Sequence, residues 1–468
     1  MNPKCVITLL IVAAIAFRHL KSDYLKGLCL TVGFIVSMPD YMRISFGGGI
    51  PEMTVQRVLV MGAVFFWLGA KRNFTTHQSI PFKGLLLAFT LSQLISTLLS
   101  ANLMAGVKSL FVFTLENLML FIVVSTTLQD RAGVLRMLTA IGAGLGGVAG
   151  VAMIERFKEI NISLEFFLGE GRGLVDITAT YPHRILLGYA MAMAVPILMA
   201  VREHETQPKR QKVILVLLLL TVAGCYFANS RGPWSGLVMA GGILLVLGSN
   251  QMRKSFVMIG VLSVVVIIAR PGVRETLVSA ISTTVGADKD SVKRKSYEYR
   301  WKLWEVAYSE VKKSPGRLLF GYGGLSTEDM DLSDYFEKES GGNTALLGFT
   351  SWDNQQACDL IEFGFVGSAL EVILFIAVLW KLLKLWKSSQ GVDRTIMAAF
   401  ISITVIFFYA RSNVYLFSPQ LKCLFWVLVA CSIRYGELKP TESSQDQNNS
   451  DPQAGNVGER NSNNASLV

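Results

Sequence analysis

Apolar residues in this chain come in long blocks. They do not alternate with polar positions. Thirteen such blocks stand out, at about 4–17, 24–38, 55–70, 82–100, 106–128, 132–153, 183–201, 212–228, 232–248, 254–269, 357–380, 394–412 and 417–434. Blocks of this kind predict helices that cross a bilayer. The first is short, and Arg18-His-Leu-Lys follows it with no small-residue cleavage site, so it is expected to be retained. One segment breaks the pattern: residues 270–356 are polar and charged, and unstructured loops of that length are rare. This insert predicts a small domain outside the membrane.

Within the insert, Arg270, Arg274, Lys289, Lys293, Arg294 and Lys295 begin a basic first half, while Glu328, Asp329, Asp331, Asp334, Glu337 and Glu339 make the second half acidic. Between them the spacing predicts a helix over 296–313, with Tyr297, Trp301, Trp304, Tyr308 and Val311 on one buried face. Pro315 and Gly321-Tyr-Gly-Gly stop it.

The pattern predicts an all-α fold, a polytopic transmembrane bundle of about 12–13 spans with one large, mainly helical loop domain. Its parts are residues 1–269 with ten spans, 270–356 outside, 357–435 with three more, and a disordered tail at 436–468 that is too poor in apolar residues to fold.

Composition agrees. Of 468 residues, 51% are hydrophobic and 17% charged, and mean hydropathy is +0.44, which excludes a soluble enzyme. The net charge of +10 does not point to nucleic acid, because Lys and Arg gather in the connections after alternate spans. That bias places those connections and the C-terminal tail in the cytoplasm, and the 270–356 insert on the opposite side. Cys5, Cys29, Cys225, Cys358, Cys423 and Cys431 lie in or beside apolar blocks without metal or redox spacing. Gly142-xxx-Gly146-xxx-Gly150 is the spacing of close helix packing. Nucleotide-binding glycine motifs, HExxH and internal repeats are absent from the sequence.

Under this topology several polar groups converge on the outer side. His183 and Arg184 open one span, Arg231 opens another, Arg300 and Trp304 lie on the loop helix, Asp353-Asn354 precedes the next span, and Arg411 closes a later one. Arg231 sits in a connection of two or three residues, so its charge is held close to hydrocarbon, and that cost marks it as functional. Arg231 and Arg300 together suit a diphosphate, whose oxygens match the planar guanidinium fork. Asp353 has two readings, a base that takes the proton of an acceptor hydroxyl or the cap of the following helix. Glu116, Glu362 and Glu371 are expected to face the bundle interior, and whether Glu116 and Glu362 partner the arginines is left open by the sequence.

Over residues 180–435 the chain resembles the O-antigen ligase and O-antigen polymerase superfamily of bacterial membrane glycosyltransferases. The resemblance rests on Pro182-His-Arg-Ile-Leu-Leu-Gly-Tyr-Ala, Asn229-Ser-Arg-Gly-Pro-Trp, Arg300-xxx-Trp304 with Gly321-Tyr-Gly, and Asp353-Asn followed by Ile361-Glu-Phe-Gly-Phe-Val-Gly, in that order. It implies a GT-C-like enzyme of the inner membrane. Such an enzyme moves a glycan from an undecaprenyl-diphosphate carrier, at the periplasmic face and with inversion, to lipid A-core or to another carrier-linked repeat. It implies no cofactor, metal or nucleotide, and its partners are the lipid-linked donor, a lipid or glycan acceptor and membrane lipids, not nucleic acid. By matching positions, Arg231 and Arg300 hold the donor diphosphate. His183, Arg184, Trp304, Asn354 and Arg411 complete the expected substrate-binding set. Ligases usually carry His-Asn where this chain has Asp353-Asn354, which leaves polymerase-type transfer as the alternative; a lipid-linked sugar transporter is a second.

Overall fold

The helix at the centre of the bundle runs from Arg184 to His204, and every residue from Leu186 to Val201 is buried. A helix apolar all round has to be surrounded, and Gly188, Ala190, Ala192 and Ala194 let its neighbours come close. The computed structural model describes residues 3–45, 47, 51–70, 79–169, 176–269, 278, 292–332, 335, 351–416 and 418–438. The tail beyond 438, the acidic run of Asp334, Glu337 and Glu339, and the basic run through Arg270, Arg274 and Lys289 lie outside them.

In chain order the helices are α1 (Pro3–Ser22), α2 (Tyr24–Ser37), α3 (Val55–Ala70), α4 (Lys83–Leu98), α5 (Leu103–Thr127), α6 (Arg131–Lys158), α7 (Ile162–Leu168), α8 (Arg184–His204), α9 (Pro208–Phe227), α10 (Arg231–Leu247) and α11 (Asn250–Ala269). They continue with α12 (Val292–Val311), α13 (Pro315–Phe320), α14 (Gln355–Ser388), α15 (Gly391–Arg411) and α16 (Pro419–Glu437). A two-stranded hairpin, β1 (Arg43–Ile44) and β2 (Met53–Thr54), joins α2 to α3. Each of the thirteen apolar blocks therefore forms a helix, in a polytopic helical membrane protein. Among the described residues, seven helices are long and apolar enough on their own to cross a membrane, and α2, α3, α4 and α10 are shorter apolar helices.

Polar side chains tie the connections together at two ends. At one end Gln420 and Gln56 both donate to the Met38 carbonyl at 2.7 Å, Arg317 donates to the Leu99 carbonyl at 2.7 Å, and Gln355 accepts from the Leu416 N–H at 2.8 Å. At the other, Arg131 donates to the Leu438 carbonyl at 2.8 Å and Arg434 to the Ser79 carbonyl at 2.7 Å. Of the three spaced glycines in α6, Gly142 packs under Leu198 of α8 and Gly146 under Leu217 of α9, while nothing lies close to Gly150. Gly144, outside that spacing, meets the Gly33 carbonyl of α2.

The long helix α14 is broken at Gly364, whose φ of 64° and ψ of −168° belong to glycine alone. The break releases two carbonyls that helix geometry would otherwise pair, at Ile361 and Glu362. The loop after α13 supplies donors: the Tyr322 N–H reaches Ile361 at 2.8 Å and the Gly323 N–H reaches Glu362 at 3.0 Å. The Ser96 hydroxyl of α4 donates to the same Glu362 carbonyl. Non-helical backbone at membrane depth persists only where its polar groups are paired in this way. Side chains are excluded at the contact, since a Cβ on Gly321 would lie 2.5 Å from the Ile361 oxygen and one on Gly364 2.5 Å from the Leu319 oxygen.

A second, smaller core lies at the end where α14 starts. Tyr299, Leu303, Ala307 and Val311 of α12 pack against Trp352 and against Ala357, Cys358, Leu360 and Ile361 of α14. The buried stripe of α12 is thus Tyr299-Leu303-Val306-Ala307-Glu310-Val311, not the expected aromatic face. Trp301 and Tyr308 are exposed by 60% and 50%. Periodicity alone misplaced the face because the helix carries apolar residues on two sides, and the partner helix selects the more aliphatic one.

Candidate functional site

The strap Ser351–Asn354 leads into α14 and is fastened to α12. Tyr299 donates its hydroxyl to the Ser351 carbonyl at 2.8 Å, Arg300 donates through Nε to the Asp353 carbonyl at 3.2 Å, and Asn354 donates to the Arg300 carbonyl at 3.4 Å. Asn354, not Asp353, caps α14: its Oδ1 accepts the Ala357 N–H at 3.2 Å. The capping reading of Asp353 is therefore corrected. Its carboxylate accepts from the Ser351 hydroxyl at 3.1 Å.

Three further elements bring charge to this strap. Arg231 is the first residue of α10, and the Arg300 guanidinium lies within electrostatic reach of it. Tyr189 of α8 lies within electrostatic reach of Arg300 and Tyr409 of α15 within reach of Arg231, and the two rings meet edge to face at 6.4 Å. Gly232 makes room for Tyr189, because a Cβ there would meet the Tyr189 hydroxyl at 2.6 Å. His183 caps α8, its Nδ1 accepting the Ile185 N–H at 3.2 Å, so a neutral ring carries its proton on Nε2. Burial pushes the His183 pKa down, and the nearby Asp353 carboxylate opposes that shift. Arg231, Arg300, His183 and Asp353, from four separate stretches, thus share one place.

The other expected contributors are engaged elsewhere. Arg184 pairs with Asp176 at 2.7 Å, both about one-third exposed. Trp304 packs on the small core of α12 and α14. Arg411 is buried and held by two carboxylates, Asp359 and Glu371 of α14.

Arg411 lines a cavity of about 640 Å³ between α4, α5, α14, α15, α16 and the hairpin. Its mouth is charged, with Arg43, Glu52, Lys108, Glu328 and Lys422, and its far wall is apolar, with Phe375, Phe425, Trp426 and Val429. At the mouth, burial and then the neighbouring Asp329 push the Glu328 carboxyl up. Deeper, Gln355 donates to Asp359 at 2.8 Å, and Thr327 donates to Glu362 at 2.6 Å. Asn117, beside the cavity on the π-helical turn Thr114–Met119 of α5, buries its Oδ1 without a protein partner among the described residues. Glu116, on the same turn, pairs with Arg57 at 2.7 Å. Glu362, whose partner the sequence left open, accepts from a threonine. Asp359 was not singled out by sequence, although an acid one turn before Glu362 in an apolar stretch is a usable signal.

A bundle of apolar helices with a charged cluster at one end, partly roofed by a helical insert, defines a class of polytopic membrane proteins whose site lies at the membrane edge. Residues 215–372, from α9 into α14, match the O-antigen ligase family, which supports placing the chain in the O-antigen ligase/polymerase superfamily. The match contains Arg231, Arg300, Asp353 and both interlocked glycines. An uncharacterized protein of Haemophilus influenzae is 24% identical over 178 residues, which are 37% of this chain and 43% of that relative's length.

Proposed function

We propose that the chain transfers a glycan from an undecaprenyl-diphosphate carrier to an acceptor at the periplasmic face of the inner membrane, with lipid A-core as the acceptor. The observation that carries this reading is the approach of Arg231 to Arg300 beside Asp353 and His183. Two like charges held together repel, and a diphosphate turns that repulsion into binding. The same guanidiniums stabilise the charge that builds as the carrier leaves.

In the transfer, the acceptor hydroxyl oxygen bonds to the anomeric carbon. The bond from that carbon to the diphosphate oxygen breaks, and its electron pair leaves on the diphosphate. Asp353 takes the hydroxyl proton. One displacement inverts the anomeric centre. His183, with its proton on Nε2, serves as a hydrogen-bond donor beside the base. A second reading, polymerisation of carrier-linked repeats, is favoured by one feature, Asp353 standing where ligases usually carry histidine.

The test is an assay of the purified full chain in nanodiscs, with undecaprenyl-diphosphate-linked oligosaccharide, EDTA and no nucleotide. Release of undecaprenyl diphosphate with product on lipid A-core is the expected outcome. A ladder of lengthening carrier-linked chains replaces ligation with polymerisation. Binding of the donor without transfer to either acceptor overturns both readings.

A further inference from the structure

The face of α12 that turns away from its core carries large side chains, and they continue onto the membrane bundle. Tyr308 meets Phe365 edge to face at 6.4 Å. Tyr308, Phe365 and Leu319 of α13 are exposed by 50%, 45% and 47%. Phe365 is the first residue of α14 beyond the break at Gly364. Below it, Val372, Ile373, Ile376 and Trp380 are exposed along the same helix, as a lipid-facing flank requires. Trp380, with the Lys384 ammonium 5.3 Å from its ring, marks the opposite edge of the bilayer.

Phe365 and Trp380 are about 22 Å apart along the axis, at about 1.5 Å per residue. The hydrocarbon layer is about 30 Å thick. Phe365 therefore lies at or within the outer edge of the hydrocarbon, and Tyr308, packed on it, lies at headgroup depth. Lys312 and Lys313 are exposed beside this patch, with the Lys312 ammonium 5.4 Å from the Tyr308 ring. Glu305 is also exposed on that side, which suits headgroups and not acyl chains.

We propose that α12 and α13 rest on the lipid surface, with Tyr308 and Leu319 set into the headgroup layer continuous with the lipid-facing flank of α14, and Lys312 against anionic headgroups, while Lys313 is paired with Glu310. The partner is the phospholipid bilayer itself. The aromatic and basic residues are those that interfacial helices use. This inference is independent of the transfer reaction.

The experiment uses the full chain with Tyr308→Cys carrying an NBD probe, in nanodiscs of phosphatidylcholine and phosphatidylglycerol. The labelled parent chain serves as the blank, since Cys5, Cys29, Cys225, Cys358, Cys423 and Cys431 are all buried. Expected are a blue-shifted emission, stronger quenching by headgroup-level than by mid-chain nitroxide lipids, and weak quenching by aqueous iodide. Strong iodide quenching with none from lipid overturns the proposal. So does protection from both quenchers, which means that protein covers the patch. Leu319→Cys, read in the same way, decides the matter should Tyr308→Cys fail to fold.

Discussion

Two arginines that look alike in the sequence, each at the end of an apolar block, have opposite surroundings in the fold. Arg411 is buried against Asp359 and Glu371, so its charge is neutralised within the protein. Arg231 lies within electrostatic reach of a second cation, Arg300, and of Tyr409. A cation matched by buried carboxylates holds a structure together, whereas two cations brought together prepare a place for an anion. Position at a span end does not separate these roles; the side chains gathered around each arginine do.

Arg411→Ala tests the structural half and carries the largest expected effect. It leaves the buried Asp359 and the half-buried Glu371 without their cation, at a cost of about 3 kcal/mol. A lower Tm in detergent and a smaller folded fraction by size exclusion are expected, and Asp359→Asn with Glu371→Gln in the same chain restores part of the loss. An unchanged Tm would dissolve the contrast.

Arg231→Ala and Arg300→Ala test the other half. Each is expected to lower transfer by about 10²–10³-fold, the usual cost of one charge-stabilising donor, and Arg300→Ala also to lower Tm slightly, because it gives up the Nε bond to the Asp353 carbonyl. Asp353→Asn is expected to slow transfer by at least about 10²-fold without uncapping α14, since Asn354 is the cap. Full activity in any of the three removes that residue from the mechanism.

Gly364→Ala sharpens the comparison by leaving every charge in place. Strain at that φ and ψ costs about 1–3 kcal/mol, and the new Cβ meets the Leu319 carbonyl. Faster proteolysis of the insert is expected, measured beside the parent in the same nanodiscs. The smallest effect belongs to Glu52→Gln. Glu52 and Arg43 pair at 2.8 Å but are roughly half exposed, and exposed pairs contribute about 1 kcal/mol or less. A Tm change as large as that of Arg411→Ala would show that burial is not what separates the two pairs.

The spans were legible because lipid demands one simple pattern, and each predicted block became a helix. So was the cluster of Arg231, Arg300 and Asp353, since charges beside hydrocarbon stand out in a sequence. What escaped depended on partners. The buried side of α12 was set by Ala357 and Ile361 of α14, not by its own aromatic residues. Arg411 could not be told from Arg231 without knowing that Asp359 and Glu371 of α14 pair with it directly. His183 and Asp353 belong to motifs 170 residues apart, and only the fold makes them neighbours.

The interlock of Gly321 with Gly364 bears on how the protein is made. Gly321 leaves the ribosome before Gly364, and in the orientation we propose from the charge bias it crosses the bilayer to reach its place. Until the loop has crossed, the Ile361 and Glu362 carbonyls lack the N–H groups that pair them. The first turns of α14 therefore complete their bonding after the insert has reached the far side, which makes translocation of that segment a condition for finishing a span encoded downstream of it.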